Sequence, residues 1–538
     1  MGVVMQTPRL WIAISGAVAV CAALLAVPLS AAINQASADS AARSQFAIDK
    51  DVRTAEETFA AVSKLARELS QRPYLPGSRK LPAAFENLDY DAYRRLRPRS
   101  EAAVWKGETS GYEVLPLPRG GLFRSAVQMH LVDDKGVKRI VDAKPYVEAT
   151  DFPAATPDQL SALGFSGWRL LKASETASPD APQVGADEYA VFQGGSYFRA
   201  ISDGLAYGLS ARALSVGTAS AAGEEFPEFT AFWIIKPEAG DAAPIEAVGL
   251  LDSESISGAV RFKVIAGAAT VFDVQADFYP RKEIAEVGVA PMSSMFYHGS
   301  ADPKVEIADY RPEVHDSDGL LIRAASGEHI WRPVTNPRRL EVSTFELGEV
   351  AGFGLMQRRR DFASYADLEA AYERRPSLWV EPVSGWDGGN VVLVEIPTRD
   401  EYNDNIVALW RPAEVWKPSE KRSLSYRLHW TDVAPAGQLA TVASTRIGDA
   451  PAGAGAQRFV VDFTGDADAL FGDDVTLDVW SSTGEIQSLH STAASAQNLR
   501  RIVFDLDAKG ADVVELHAAL RAGNRQISET WLYRWTPE

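Results

Sequence analysis

Two acidic clusters carry the side chains best suited to chemistry. His315, Asp316 and Asp318 stand ahead of Gly319 in RPEVHDSDGLL (311–321), and Glu401 and Asp404 stand in EYNDN (401–405), between two strand-like runs. Carboxyl groups projecting from loops between sheet segments can serve as a general acid and a general base. Aspartates before glycine are also turn formers whose side chains cap their own backbone, so residue type alone leaves a structural reading beside the catalytic one. Asp316 and Asp318, one residue apart, share a face if their segment is extended. Other chemistries are poorly supplied. None of the seven histidines falls at HExxH or HxH spacing, and no GxSxG, P-loop or GxGxxG pattern occurs, so neither a metal centre nor a cofactor is expected. Trp331, Trp379, Trp386, Trp410, Tyr372 and Tyr402 lie in the same third of the chain. Flat rings suit stacking on the apolar faces of sugars, but aromatics in strands are more often core.

The elements that must position these groups are mostly strands. Short runs rich in β-branched and aromatic residues, bounded by Gly, Pro or Asp, recur at 189–192, 228–235, 247–251, 259–265, 269–278, 340–345 and 390–396, which predicts antiparallel sheets in a large twisted sandwich. Two helical patterns interrupt them. One covers 51–70, with Val52, Phe59, Val62, Ala66 and Leu69 on a stripe; the other covers 362–373, with Phe362, Tyr365, Leu368 and Tyr372 ahead of Pro376. Past a short Pro/Gly linker at 432–438, seven candidate strands (439–447, 458–463, 475–481, 485–492, 499–505, 513–521 and 526–535) suit an immunoglobulin-like sandwich over 439–538. Residues 178–187 and 449–455 read as surface loops.

Residues 1–38 have the order of a secretory signal: Arg9, an apolar run from 10 to 29, then Ala36, Ser37 and Ala38 ahead of Asp39. The run is also long enough to span a bilayer as an uncleaved anchor. Cleavage is the reading adopted, and Val20 before Cys21 argues against lipidation. The mature chain then has no cysteine, hence neither disulfides nor thiolate ligands. The net charge of −18, which becomes −19 without Arg9, argues against nucleic acid or an anionic membrane as partner and favours a neutral ligand or simple solubility.

Taken together, RPYLP (72–76), LDYDAYRRLR (88–97), GGSYFRA (194–200), YGLSARAL (207–214), GEEFPEFTAFWI (223–234), RPEVHDSDGLLI (311–322), GFGLMQRRRDF (352–362), YERRPSLWVEP (372–382) and NDNIVALWRP (403–412) resemble the OpgG/OpgD (MdoG) family of osmoregulated periplasmic glucan biosynthesis proteins. The resemblance runs strongly over 46–430 and more loosely beyond. It implies a galactose-mutarotase-like β-sandwich over 39–431 with a groove, then the immunoglobulin-like domain, and a periplasmic location. It also implies action on β-1,2-glucan, by inverting hydrolysis or by ring-forming transglycosylation. Carried over by motif, Asp404 is the general acid and Asp316 the general base, with Asp318 the alternative base. Glu401 and Tyr372 are groove residues, and His315, Trp331, Arg375 and Trp379 join them as substrate-binding candidates. An inverting pair needs one protonated and one ionised carboxyl, spaced to admit water or linked by a proton relay. Burial, or a neighbour such as Glu401, would keep the acid protonated. The competing class is a non-catalytic glucan-binding factor working with the inner-membrane glucan synthase, and an oligomer is compatible with either. A single arginine in the leader, where the D-like branch often has two, points to the G-like branch.

Overall fold

The computed structural model describes residues 46–537 except 109–110, 173–187, 241–242, 303–307, 434–436, 452–454 and 467–469. The leader expected over 1–38 and the loop over 178–187 lie outside the described residues, as do parts of the 432–438 linker and the 449–455 loop. Among the described residues, no helix is long and apolar enough to cross a membrane.

The chain is mainly β, as its strand pattern predicts. A ten-stranded and a fifteen-stranded sheet face each other across an aromatic core. Alternating inward side chains from both sheets meet there: Trp168 on Phe232 (5.8 Å between centroids), Phe192 on Phe262 (5.0 Å) and Phe198 on Trp430 (5.9 Å). Helix α1, Ala55–Ser70, covers the outer face of the larger sheet, burying Phe59, Val62, Ala66 and Leu69 against Trp233, Val248 and Leu250. It begins at Thr54 because the Thr54 hydroxyl accepts the Glu57 N–H while the Glu57 carboxylate accepts the Thr54 N–H, a capping box. Thr54→Ala is expected to cost about 1 kcal/mol, read from urea melts; an unchanged midpoint would mean that packing alone sets the helix start.

The second helical pattern is not realised. Residues 362–373 form two separate 3₁₀ turns, Phe362–Ser364 and Tyr372–Arg374. Asp361 caps a first turn by accepting the Ser364 N–H, but Ala366 and Ala371 take left-handed φ (54° and 45°) and Asp367 captures the N–H groups of Glu369 and Ala370 (2.9 and 2.8 Å), donors a helix would need. Tyr365 and Tyr372 are buried while Leu368 is exposed, so the apparent stripe never became one face.

The C-terminal strands order as Thr441–Asp449, Ala456–Thr464, Leu499–Asp507, Glu485–Ala494 in one sheet and Val475–Ser481, Val514–Ala522, Thr530–Trp535 in the other. In chain order this is A-B-E-D and C-F-G, the constant-type immunoglobulin arrangement. The last expected strand is broken: Arg525–Gln526 and Thr530–Trp535 are separate, and Glu529 between them turns inward. The C-F-G sheet does not stand apart. Thr530–Trp535 pairs in parallel with His329–Pro333, Ile330 with Thr530 and Trp331 with Trp531, so it extends the larger sheet of the N-terminal sandwich.

Candidate active site

The two acidic loops hang from one strand end. Strand Val287–Ser294 pairs Ser294 with Ile406, and the short strand Phe296–His298 pairs Phe296 with His315. Residues 294–296 therefore hold the start of strand Ile406–Pro412, preceded by Asp404, and the end of strand Val314–His315, followed by Asp316. Buried Asn405 fixes the first junction, accepting the Phe296 N–H (2.8 Å) and donating to the carbonyls of Phe296 (3.0 Å) and Ile396 (3.1 Å). The Asp316 N–H fixes the second by donating to Met295 O at 2.8 Å. The last residue of the NDN motif is thus a structural pin, and the middle one is presented.

The two carboxyls have different surroundings. The Asp316 side chain is almost fully buried and paired with the guanidinium of Arg375, which is itself 4% exposed and stands 4.1 Å over the Tyr372 ring. Asp404 keeps 24% of its side chain open, with Arg199 Nη2 at 3.5 Å. Burial pushes the Asp404 carboxyl above its ordinary range, Arg199 pulls it down, and the charge of Asp316 pushes it up again. Asp316, rather than Glu401, is thus the carboxylate that assists. Glu401 is held by Arg311 at 2.7 Å and by the Tyr372 hydroxyl, which donates to it at 2.9 Å. Burial first, then the nearby carboxylates, drives that hydroxyl far above a tyrosine's usual value despite Arg375.

Asp316, Asp404, Glu401, Tyr372 and Arg375 are therefore one constellation. The other sequence candidates have different partners. Asp318 accepts the backbone N–H groups of Arg358 and Arg359 while Asp316 meets Arg375, so the two aspartates do not share partners. His315 is buried between Gln357 Oε1 (3.0 Å) and Glu313 Oε2 (2.9 Å), and burial pulls its ring below the ordinary imidazole value. Glu313, His315 and Asp318 bring ligand-type atoms within 4.8 Å of one another, but the Arg359 guanidinium pairs with Glu313 and lies 3.8 Å from Asp318, supplying the cation of that cluster. Trp331 and Trp379 lie in the core shared with the C-terminal sandwich, under Arg358 (3.5 Å to the ring centroid) and Arg323 (5.6 Å), and offer no ring face to a sugar.

Three arginines were not singled out from the sequence. Arg199 and Tyr197 alternate onto one face of strand Tyr197–Ala200, Arg212 pairs opposite Tyr197 with its guanidinium 5.2 Å from that ring, and Arg311 gathers Asp309, Asp367 and Glu401. The first two lie inside GGSYFRA and YGLSARAL, where period-two alternation is a usable signal. Tyr310, Leu368 and Tyr402 are exposed and adjoin Arg311, Asp367 and Glu401 in the chain.

A mainly β sandwich carrying a carboxyl pair flanked by arginines and aromatic side chains defines the class, and the comparisons supply the family. Residues 58–535 match the family described as "Periplasmic glucan biosynthesis protein, MdoG", and the chain belongs to it. It is 42% identical over 484 residues to "Glucans biosynthesis protein G" of one strain of Rhodopseudomonas palustris, covering 88% of this chain and 93% of the relative. It is 40% identical over 522 residues to the protein of the same name in strain BisA53, covering 96% and 99%. It is 41% identical over 481 residues to "Glucans biosynthesis protein G 1" of Shewanella oneidensis, covering 88% and 86%. A role in glucan biosynthesis follows from family membership.

Proposed function

We propose that this protein is a periplasmic inverting hydrolase of β-1,2-glucan, with Asp404 as the general acid that protonates the leaving glycosidic oxygen and Asp316 as the general base toward water. One observation carries the reading. Two carboxyls on adjoining loops sit in contrasting environments, one pushed toward its protonated form by burial and a neighbouring charge, the other facing a buried guanidinium. Such a division separates acid from base at one pH. Tyr372 and Glu401 form a hydrogen-bonded pair beside Arg375 that can hold substrate hydroxyls or carry a proton.

The test is to incubate purified protein with linear β-1,2-glucan and follow chain length, reducing ends and anomeric configuration by NMR. Shorter chains whose fresh reducing ends are α support the reading. Rings formed without new reducing ends would assign transfer instead, and unchanged polymer that nonetheless binds would assign a non-catalytic glucan-binding role.

The pH profile gives a second check. The acid works only while protonated, so kcat falls as pH rises through the Asp404 value. Arg199 lowers that value, so Arg199→Gln is expected to move the basic limb of the kcat profile to higher pH; a stationary limb would remove Arg199 as an electrostatic partner. The same sign governs stability. A carboxyl raised by folding contributes fully below its unfolded value, near 3.8, and loses that contribution as pH climbs through the folded one.

A further inference from the structure

We propose that the C-terminal sandwich braces the general base, with Glu529 and Arg358 as positioning residues that act through Asp318 on Asp316. The inference rests on the assignment of Asp316 as base and adds residues to which that assignment gives no role.

The chain of contacts is continuous. Glu529, 2% exposed in the break before the last strand, receives Arg358 Nη2 at 2.7 Å and Nη1 at 2.9 Å, and also accepts the Val442 N–H at 2.8 Å. The same guanidinium donates to Val442 O at 2.7 Å and lies on the Trp331 ring. Its geometry is thus set by strand Thr441–Asp449, by Glu529 in the break before the last strand, and by Trp331 of the larger sheet. With Arg358 held, its backbone N–H and that of Arg359 (3.0 Å) both point at Asp318 Oδ2. The Asp318 backbone is held as well, donating to Met356 O at 2.8 Å and accepting from the Val334 N–H at 3.1 Å. The other end of the loop is tied through Arg359, which pairs with Glu313 and donates to Ser300 Oγ at 2.6 Å; Ser300 Oγ donates to Thr445 O at 2.9 Å. Residues 313 and 318 are therefore both tied to the C-terminal sandwich, 318 through Arg358 and 313 through Arg359 and Ser300, and Asp316 lies between them in the chain.

Packing at this seam leaves little slack. The cavity lined by Asp318, Trp331, Arg358, Arg359, Val442 and Thr445 measures ≈ 20 Å³, room for about one water. A buried ion pair is weak evidence for stability, since desolvation offsets its attraction, but it does fix geometry. Here the geometry it fixes lies two residues from a carboxyl that must aim at water. An error of about 1 Å there is enough to lower turnover about 10²-fold.

The experiment uses the full chain with Glu529→Gln, which keeps shape and removes charge, and Arg358→Lys, which keeps charge and removes the fork. Arg458→Gln is the control, breaking the Arg458–Asp505 pair away from the seam. The readouts are kcat and KM on linear β-1,2-glucan, melting temperature, and amide exchange of peptides covering 311–321 and 401–405. Both seam variants should lose kcat about 10–100-fold with KM within about threefold, and exchange should quicken at 311–321 but not at 401–405. The control should match wild type in both. Unchanged kcat in Glu529→Gln would overturn the proposal, as would exchange quickening everywhere in step with melting temperature, because that is general destabilisation. If wild type itself does not turn over this glucan, the assignment of Asp316 has failed and takes its catalytic use with it. Exchange at 311–321 then decides the brace alone, and unaltered exchange there refutes it.

Discussion

Asp404→Asn is expected to lower kcat on linear β-1,2-glucan by about 10²–10⁴-fold while KM changes little, the range for losing one positioned proton donor. Asparagine keeps the shape and can still lie beside Arg199, but it cannot deliver a proton to the departing oxygen. The variant should nevertheless fold and melt no lower than wild type at neutral pH. Folding raises the pKa of Asp404, so the ionised carboxyl is a net liability in the native state despite Arg199 at 3.5 Å, and a neutral amide relieves it. Loss of turnover with unchanged or improved stability is the pattern of a functional site held at some cost to the fold. Wild-type turnover in the purified variant would remove Asp404 as the acid. Equal falls in melting temperature and kcat would mark it as structural.

Arg375→Met should produce the largest loss of stability, about 3–5 kcal/mol, together with loss of turnover, because it strands a buried carboxylate without its cation. Arg375 pairs with Asp316, stacks on Tyr372, and donates to Ala370 O from Nε and Nη2 at 3.3 Å each. Room for its stem depends on Gly208, where an added Cβ would come within 3.0 Å of Arg375 Cβ. The double variant Arg375→Met/Asp316→Asn separates the contributions. With neither charge left alone, most of the stability should return while activity stays lost. If the double variant is no more stable than the single one, the loss comes from packing against Tyr372 rather than from the unpaired carboxylate.

What could be read from the sequence follows from how local each feature is. Strands such as Glu228–Ile235 and Val475–Ser481 match their pattern because alternation and β-branching act within a few residues. The 362–373 pattern misled because hydrophobic spacing does not register that Asp367 takes amides a helix requires or that Ala366 and Ala371 turn left-handed. Trp331 and Trp379 suited a sugar platform equally well until packing into the core shared with the C-terminal sandwich buried them. Asp316 and Asp318, alike in type and one residue apart, were parted by long-range partners, Arg375 for one and the Arg358 and Arg359 amides for the other.

By itself the sequence determined the β class, the C-terminal strand set, the family, and the two acidic loops, because these rest on periodicity and on long motifs that survive without coordinates. Only the tertiary structure decided which carboxyl takes which environment and that the C-terminal sandwich is continuous with the sheet beside the site. The reason is physical. A carboxyl's proton affinity depends on excluded water and on charges brought close by folding, and the arginine that meets Asp404 lies 205 residues away in the chain.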